Sequence, residues 1–209
     1  MVDNFDLIRP MFYFNEVNNM FFHCQIVQRA KDHKPNKVKE DAIKTYFIRS
    51  TEHFDRIKGE IILLCEHYGA RAYINVAGKD FEAMQKIMLK HLARNVADDV
   101  VQNPKKVINS IAGKLKSRSK VWVVDIDDKS LLDSVLKWLD SYFKISEASI
   151  LIDRESIYLK ATIPTVKGVH LIVTPFNLQL FHSTFPDIDV HKNSMGTLLY
   201  YPKSLDKNE

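Results

Sequence analysis

Residues 11–17 and 20–29 are two apolar, aromatic-rich segments, and the intervening Asn18 and Asn19 are turn formers, so this stretch predicts a β-hairpin. A polar, lysine-rich stretch around Pro35 reads as an exposed loop, and the β-branched and aromatic run at 43–49 predicts a third strand. Ser50 and Thr51 then open a helical pattern in which Phe54, Ile57, Ile61, Leu64 and Cys65 recur on one face until Gly69 ends it. Residues 71–76 read as a strand, and Phe81, Met84, Ile87, Met88, His91 and Leu92 mark a second amphipathic helix. Strand and helix alternate here as they do in an α/β layer.

The second half opens with the apolar strand 121–127, followed by a helix whose Leu131, Leu132, Val135, Trp138, Leu139 and Tyr142 share a face. Strands are predicted at 148–152, 156–163 and 169–173, a short helix at 177–182, and final strands at 188–190 and 197–201 that complete a small sheet. The expected fold is α/β in the α+β sense. An N-terminal α/β subdomain (1–104) is joined by a basic linker or helix (105–120) to a C-terminal RRM-like, helix-backed sheet (121–209), the three forming one catalytic core.

Composition narrows the class. The chain has 209 residues, 45% of them hydrophobic and 27% charged, which is ordinary for a globular protein and excludes the disordered and fibrous classes. Cys24 and Cys65 are the only cysteines, too few and too far apart for a cysteine-rich zinc site or a secreted disulfide scaffold. Acids at positions 3, 6 and 16 leave no apolar signal segment, and no apolar run approaches the ~20 residues of a membrane helix. A cytoplasmic protein with no membrane partner is expected. The net charge of +4 permits an anionic partner, and its distribution says more: residues 105–120 carry Lys105, Lys106, Lys114, Lys116, Arg118 and Lys120 with no acid. That run reads either as a solvated helix and linker or as a track for a nucleic-acid backbone, where lysines displace condensed counterions.

Three fragments carry candidate chemistry. Asp125 and Asp127 stand two apart at a strand end, so both carboxylates project from one face; paired hard oxygen donors suit Mg²⁺ or Mn²⁺, while Asp128 is available to cap the following helix. Thr165, Lys167, Gly168 and His170 precede an apolar strand in a turn that can meet phosphate. Asp189 is a third acid, with Asp187 competing for that role, followed by Lys192 as a phosphate partner and by Asn193, Gly196 and Thr197.

In this order the fragments resemble the archaeo-eukaryotic primase superfamily, with the nearest likeness to the polymerase domain of bacterial end-joining DNA ligases. Asp125 and Asp127 match its strand-end acid pair, Thr165 through His170 its Ser/Thr-to-His element, with Thr165 where serine is usual, and Asp189 its third acid. The likeness covers mainly residues 120–202. It implies a metal-dependent nucleotidyltransferase, of DNA primase or polymerase type, extending on a single-stranded or primed DNA template. Asp125, Asp127 and Asp189 would hold two divalent cations, Mg²⁺ or Mn²⁺. Thr165, Lys167, Gly168, His170, Lys192 and Asn193 would hold the nucleoside triphosphate. Arg71 and the basic segment, Lys114, Lys116 and Arg118 among it, would carry the strand. The implied setting is a bacterial or phage-infected cell, in a phage or plasmid context, with a replication helicase or repair proteins as partners. Two other readings stay open: a non-catalytic RRM-like module binding single strands through Trp122, Tyr158 and Phe176, and a haloacid-dehalogenase-like phosphatase using Asp125 and Asp127.

Overall fold

The structure, a computed structural model, describes residues 1–14, 19–33, 41–147, 158–192 and 196–208. In chain order its elements are β1 (Val2–Asp3), α1 (Phe5–Ile8), β2 (Met20–Gln28), β3 (Asp41–Ile48), α2 (Thr51–Tyr68), β4 (Arg71–Ile74), β5 (Lys79–Asp80), α3 (Phe81–Ala97) and α4 (Pro104–Lys114). There follow β6 (Trp122–Ile126), α5 (Leu132–Glu147), β7 (Leu159–Pro164), β8 (Val169–Val173), α6 (Leu178–Thr184), β9 (Asp189–His191) and β10 (Thr197–Tyr201). They build two antiparallel sheets in an α+β arrangement. The larger has the order β1-β10-β4-β2-β3, with β5 on β2, and the smaller the order β7-β8-β6-β9.

The larger sheet lies between helices. On one face Phe22, Cys24, Ile26 and Ile74 pack with Phe54, Ile57, Ile61 and Cys65 of α2. Local sequence fixes that helix: the Ser50 hydroxyl accepts from the His53 N–H at 3.0 Å, and Gly69, at φ 54°, takes the left-handed conformation that closes the other end. On the opposite face Phe21 meets Met84 of α3 and Ala112 of α4. The first core cluster also takes in Val123, Ile163 and Ile172, so one face of the smaller sheet shares its burial with the larger sheet. The other face of the smaller sheet is covered by α5 and α6 through Val135, Leu139 and Phe181. Its element order, β6-α5-β7-β8-α6-β9, is the β-α-β-β-α-β pattern of split βαβ folds.

Several expectations change. Among the described residues of 11–17 and 20–29 no hairpin pairing is present: residues 9–11 make a 3₁₀ turn, Phe12 and Phe14 lie outside any strand, residues 15–17 lie outside the described residues, and β2 pairs with β3 and β4. Phe12 and Phe14 instead bury their rings against Phe22, at 4.6 and 5.3 Å between centroids, so the aromatic-rich run packs without a ladder. Asn19 has a turn-type φ of 39°, while Asn18 lies outside the described residues. The alternation of strands and helices in the first half produces antiparallel rather than parallel pairing. The strand expected at 148–152 lies outside the described residues, and β7 begins at Leu159. The final strand does not complete the smaller sheet: Thr197 pairs with Ile74, which inserts β10 between β1 and β4 of the larger one. Among the described residues no helix is long and apolar enough to cross a membrane.

Candidate functional site

Strand β6 runs through the middle of the smaller sheet, and its register decides what meets Asp125. On one side Asp125 stands opposite His170 of β8, and on the other opposite Asp189 of β9. Directly opposed residues project to the same face, with Cβ atoms ~5 Å apart. Three residues separated by up to 64 positions therefore form one row. His170 Nε2 lies 3.3 Å from Asp125 Oδ1, and His170 Nδ1 lies 2.9 Å from the hydroxyl of Thr197 on β10. His170 Nε2 thus faces the carboxylate while Nδ1 shares a hydrogen bond with the Thr197 hydroxyl, so Thr197 fixes the rotation of the imidazole. Thr197 is fully buried and His170 nearly so, whereas the Asp125 side chain is 24% exposed and Asp189 is exposed. A rigid interior partner thus presents an acid at the surface.

The hydrogen bond from His170 holds the Asp125 carboxyl below the usual carboxylate range, against the opposing effect of burial, and the charges of His170 and His191 act in the same direction. His191 is paired in register with Val123, two residues before Asp125, and so shares that face. Thr197 belongs to the run that follows Asp189, but the sequence gives no sign that it bonds His170; His191 has no role in that run, although period-two alternation from Asp189 places it on the same face.

Asp127 is exposed at the bend just beyond β6. The β7–β8 turn reaches over this point. Thr165 N–H donates to Gly168 O at 3.0 Å, and Gly168 N–H donates to the Thr165 hydroxyl at 3.0 Å, which closes a tight hairpin with exposed Lys167 at its tip. Gly168 is demanded by space: a Cβ there would lie 1.9 Å from Ile126 O and 2.7 Å from Asp127 Cα. The Thr-to-His element is thereby pressed onto the strand end that carries the acids. Asp128 is a cap, its carboxylate accepting from Ser130 N–H at 2.9 Å. Asp187 precedes β9, and it is Asp189 that opposes Asp125.

Other predicted residues lie apart from this row. Lys192 places its ammonium 5.4 Å from the centre of the Trp122 ring, on the helix-covered face near the opposite end of β6. Asn193 lies outside the described residues. Arg71, on the larger sheet, is held by both oxygens of Asp32 at 2.7 and 2.5 Å and lies over the Tyr201 ring. Arg118 is paired with Asp80 at 2.5 Å, and Lys105 donates to the carbonyls of Ala42 and Ile43 at 2.7 and 3.1 Å, while Lys114 and Lys116 are exposed. The basic segment is thus partly committed to fastening α4. Trp122 and Phe176 meet at 5.1 Å within the second core, and Tyr158 stacks on Phe143 at 4.8 Å, so these rings serve packing.

Among the described residues no group of three or more His, Cys, Asp or Glu side chains is gathered closely enough to hold a metal ion. The donor chemistry nonetheless suits one: Asp125 and Asp189 face each other with hard oxygen donors, and like charges so placed are relieved by a divalent cation. No protein-family profile, curated protein or solved structure matches the chain.

Proposed function

We propose that this chain is a metal-dependent nucleotidyltransferase of the archaeo-eukaryotic primase type, extending a nucleic-acid strand on a single-stranded DNA template. The observation that carries the reading is the row His170–Asp125–Asp189 on three adjacent strands, with the Thr165–Gly168 turn pressed against the end of β6. The β-α-β-β-α-β order of the smaller sheet supports the RRM-like architecture that such a core requires.

Asp125 and Asp189, with Asp127 beyond the strand end, would hold two Mg²⁺ or Mn²⁺ ions. Those ions would supply charge neutralisation at the triphosphate and activation of the attacking 3′-hydroxyl. His170 fixes the Asp125 carboxylate from below, and Thr197 in turn fixes His170, so the acid's orientation is built into the core. Lys167, at the exposed turn tip, is placed to meet the triphosphate. The supporting partners are nucleoside triphosphates and single-stranded or primed DNA.

The test is incorporation of labelled nucleotide on primed and unprimed single-stranded templates with Mg²⁺ or Mn²⁺. Wild type should extend, and Asp125→Asn or Asp189→Ala should lose at least ~10³-fold in rate, corresponding to several kcal/mol of lost charge stabilisation. Metal-dependent synthesis that survives in both variants would sink the assignment. The unprimed template reports whether synthesis starts without a primer.

A further inference from the structure

A second concave site lies away from the acids. A cavity of about 860 Å³ opens between the N-terminal segment, the connection leading into β6, and β7, the edge strand of the smaller sheet. Leu7, Met11 and Val121 give it an apolar floor. Its polar lining comes from Ser119, Lys120, Lys160, Thr162 and Thr174, and Tyr13, 53% exposed, stands at its rim. Neither Lys120 nor Lys160 forms an ion pair among the described residues. The Ser119 hydroxyl is buried with no hydrogen-bond partner among the described residues, an arrangement that is unfavourable unless something supplies one. The one acid in the lining, Asp6, lies 3.6 Å from Lys58.

We infer that this cavity binds a single-stranded nucleic acid, with phosphates on Lys120 and Lys160 and a base laid against Tyr13. Two ammonium groups without an ion pair among the described residues, hydroxyl donors and an exposed aromatic ring lining one cavity are the combination that reads a charged backbone carrying flat bases. An acidic peptide would use the lysines but leave the ring and the apolar floor without matching groups. The cavity is connected to the proposed catalytic row: Val121 immediately precedes β6 and lies four residues before Asp125, ~13 Å at the rise of an extended chain. This inference rests on the nucleotidyltransferase reading only for its purpose, since a strand held there would lead toward Asp125. It shifts the strand from Lys114, Lys116 and Arg118, the last of them held by Asp80, to the end of the basic segment at Lys120 and to Lys160 of β7.

The experiment is fluorescence anisotropy of a labelled oligothymidylate with the full chain, without metal, at low and at physiological salt. Lys120→Glu with Lys160→Glu should weaken binding at least ~10-fold and flatten the salt dependence by ~1.4 in log–log slope, the share of two phosphate contacts on a single strand. Tyr13→Ala should weaken it on the order of tenfold with little change in slope. Lys114→Glu with Lys116→Glu should leave it within about twofold. Wild-type affinity in the Lys120/Lys160 variant would overturn the inference, as would displacement of the oligonucleotide by polyglutamate or by thymidine monophosphate at equal monomer concentration. Asp189→Ala should bind the strand like wild type, which separates the two ideas. Groove-dependent binding without synthesis would sink the catalytic reading alone, and acid-dependent synthesis with groove-independent binding would sink the groove alone.

Discussion

In the larger sheet Arg71 is clasped by Asp32, Arg118 by Asp80, and Lys79, almost fully buried, donates to the carbonyls of Ala112 and Gly113 at the end of α4. Charge there fastens one element to another. In the smaller sheet Asp125 stands directly opposite a second carboxylate, Asp189, with the imidazoles of His170 and His191 offsetting its charge. Like charges directly opposed on a sheet destabilise it, so this row is held in place by the surrounding fold rather than contributing to it. The larger sheet spends its polar residues on stability, and the smaller one uses that stability to keep an acidic row oriented at its surface. Thr197 and Asn4 are the links: the first bonds His170 from the larger sheet, and the Asn4 amide donates at 2.8 Å both to Pro164 O of β7 and to Leu198 O of β10.

The sharpest way to break the contrast is to lift the turn off the acidic strand. Gly168→Ala places a methyl group where Ile126 O already lies, so the hairpin tip must shift. A loss of about 3 kcal/mol in urea unfolding is expected, together with loss of nucleotide incorporation. Unchanged stability would show that the turn does not bear on β6.

His23 tests the larger sheet's interior. Its ring is buried beside Phe47, Nε2 has no partner, and burial followed by the nearby charge of Lys79 pushes its pKa down from 6.5 to about 4. Burial likewise pushes the Lys79 ammonium down, to about 8. The native state therefore keeps His23 neutral while the unfolded chain takes up a proton below pH 6.5, so stability falls as pH drops through that window. Between pH 6.5 and about 4.5 this residue should cost about 2–3 kcal/mol, and His23→Leu should remove that part of the acid sensitivity in denaturation curves measured at both pH values. An unaltered pH dependence in the variant would place the proton elsewhere. Asn4→Ala should cost about 2 kcal/mol at neutral pH, because it leaves two carbonyls without their buried donor. Its effect on incorporation should exceed that of an exposed substitution of equal stability cost, since the bond it removes ties β7 to the strand that carries Thr197.

What was legible in the sequence was local. Ser50 and Gly69 bound α2 because a cap and a left-handed terminus depend on neighbouring residues alone. The aromatic-rich start of 11–17 resembled a strand because burying Phe12 and Phe14 against Phe22 calls for the same residue types as a half-buried strand. The destination of β10 was not legible, since its pairing partner Ile74 lies more than a hundred residues away. The candidate site shows the same division. Asp125, His170 and Asp189 stood out as residue types in order along the chain, whereas Thr197 and Asn4 act through contacts 27 to 194 residues distant. The basic segment misled in the opposite way: net charge is visible in a sequence, but whether Arg118 has an acid beside it is decided by the fold.

The smallest expected effect is also the most direct measure of what the acidic row costs. If Asp125 and Asp189 repel across β6 and β9, then Asp189→Asn, which keeps the shape and removes one charge, should raise stability by about 0.5 kcal/mol at neutral pH and low salt. The gain should shrink as salt screens the pair. Divalent cation should reverse the order: Mn²⁺ stabilises wild type by binding its native state and leaves the variant nearly unchanged. Thermal unfolding of both proteins with and without Mn²⁺ reads all three effects. A variant less stable than wild type in the absence of metal would mean that Asp189 contributes a structural bond, and the row would then belong with the fastenings of the larger sheet.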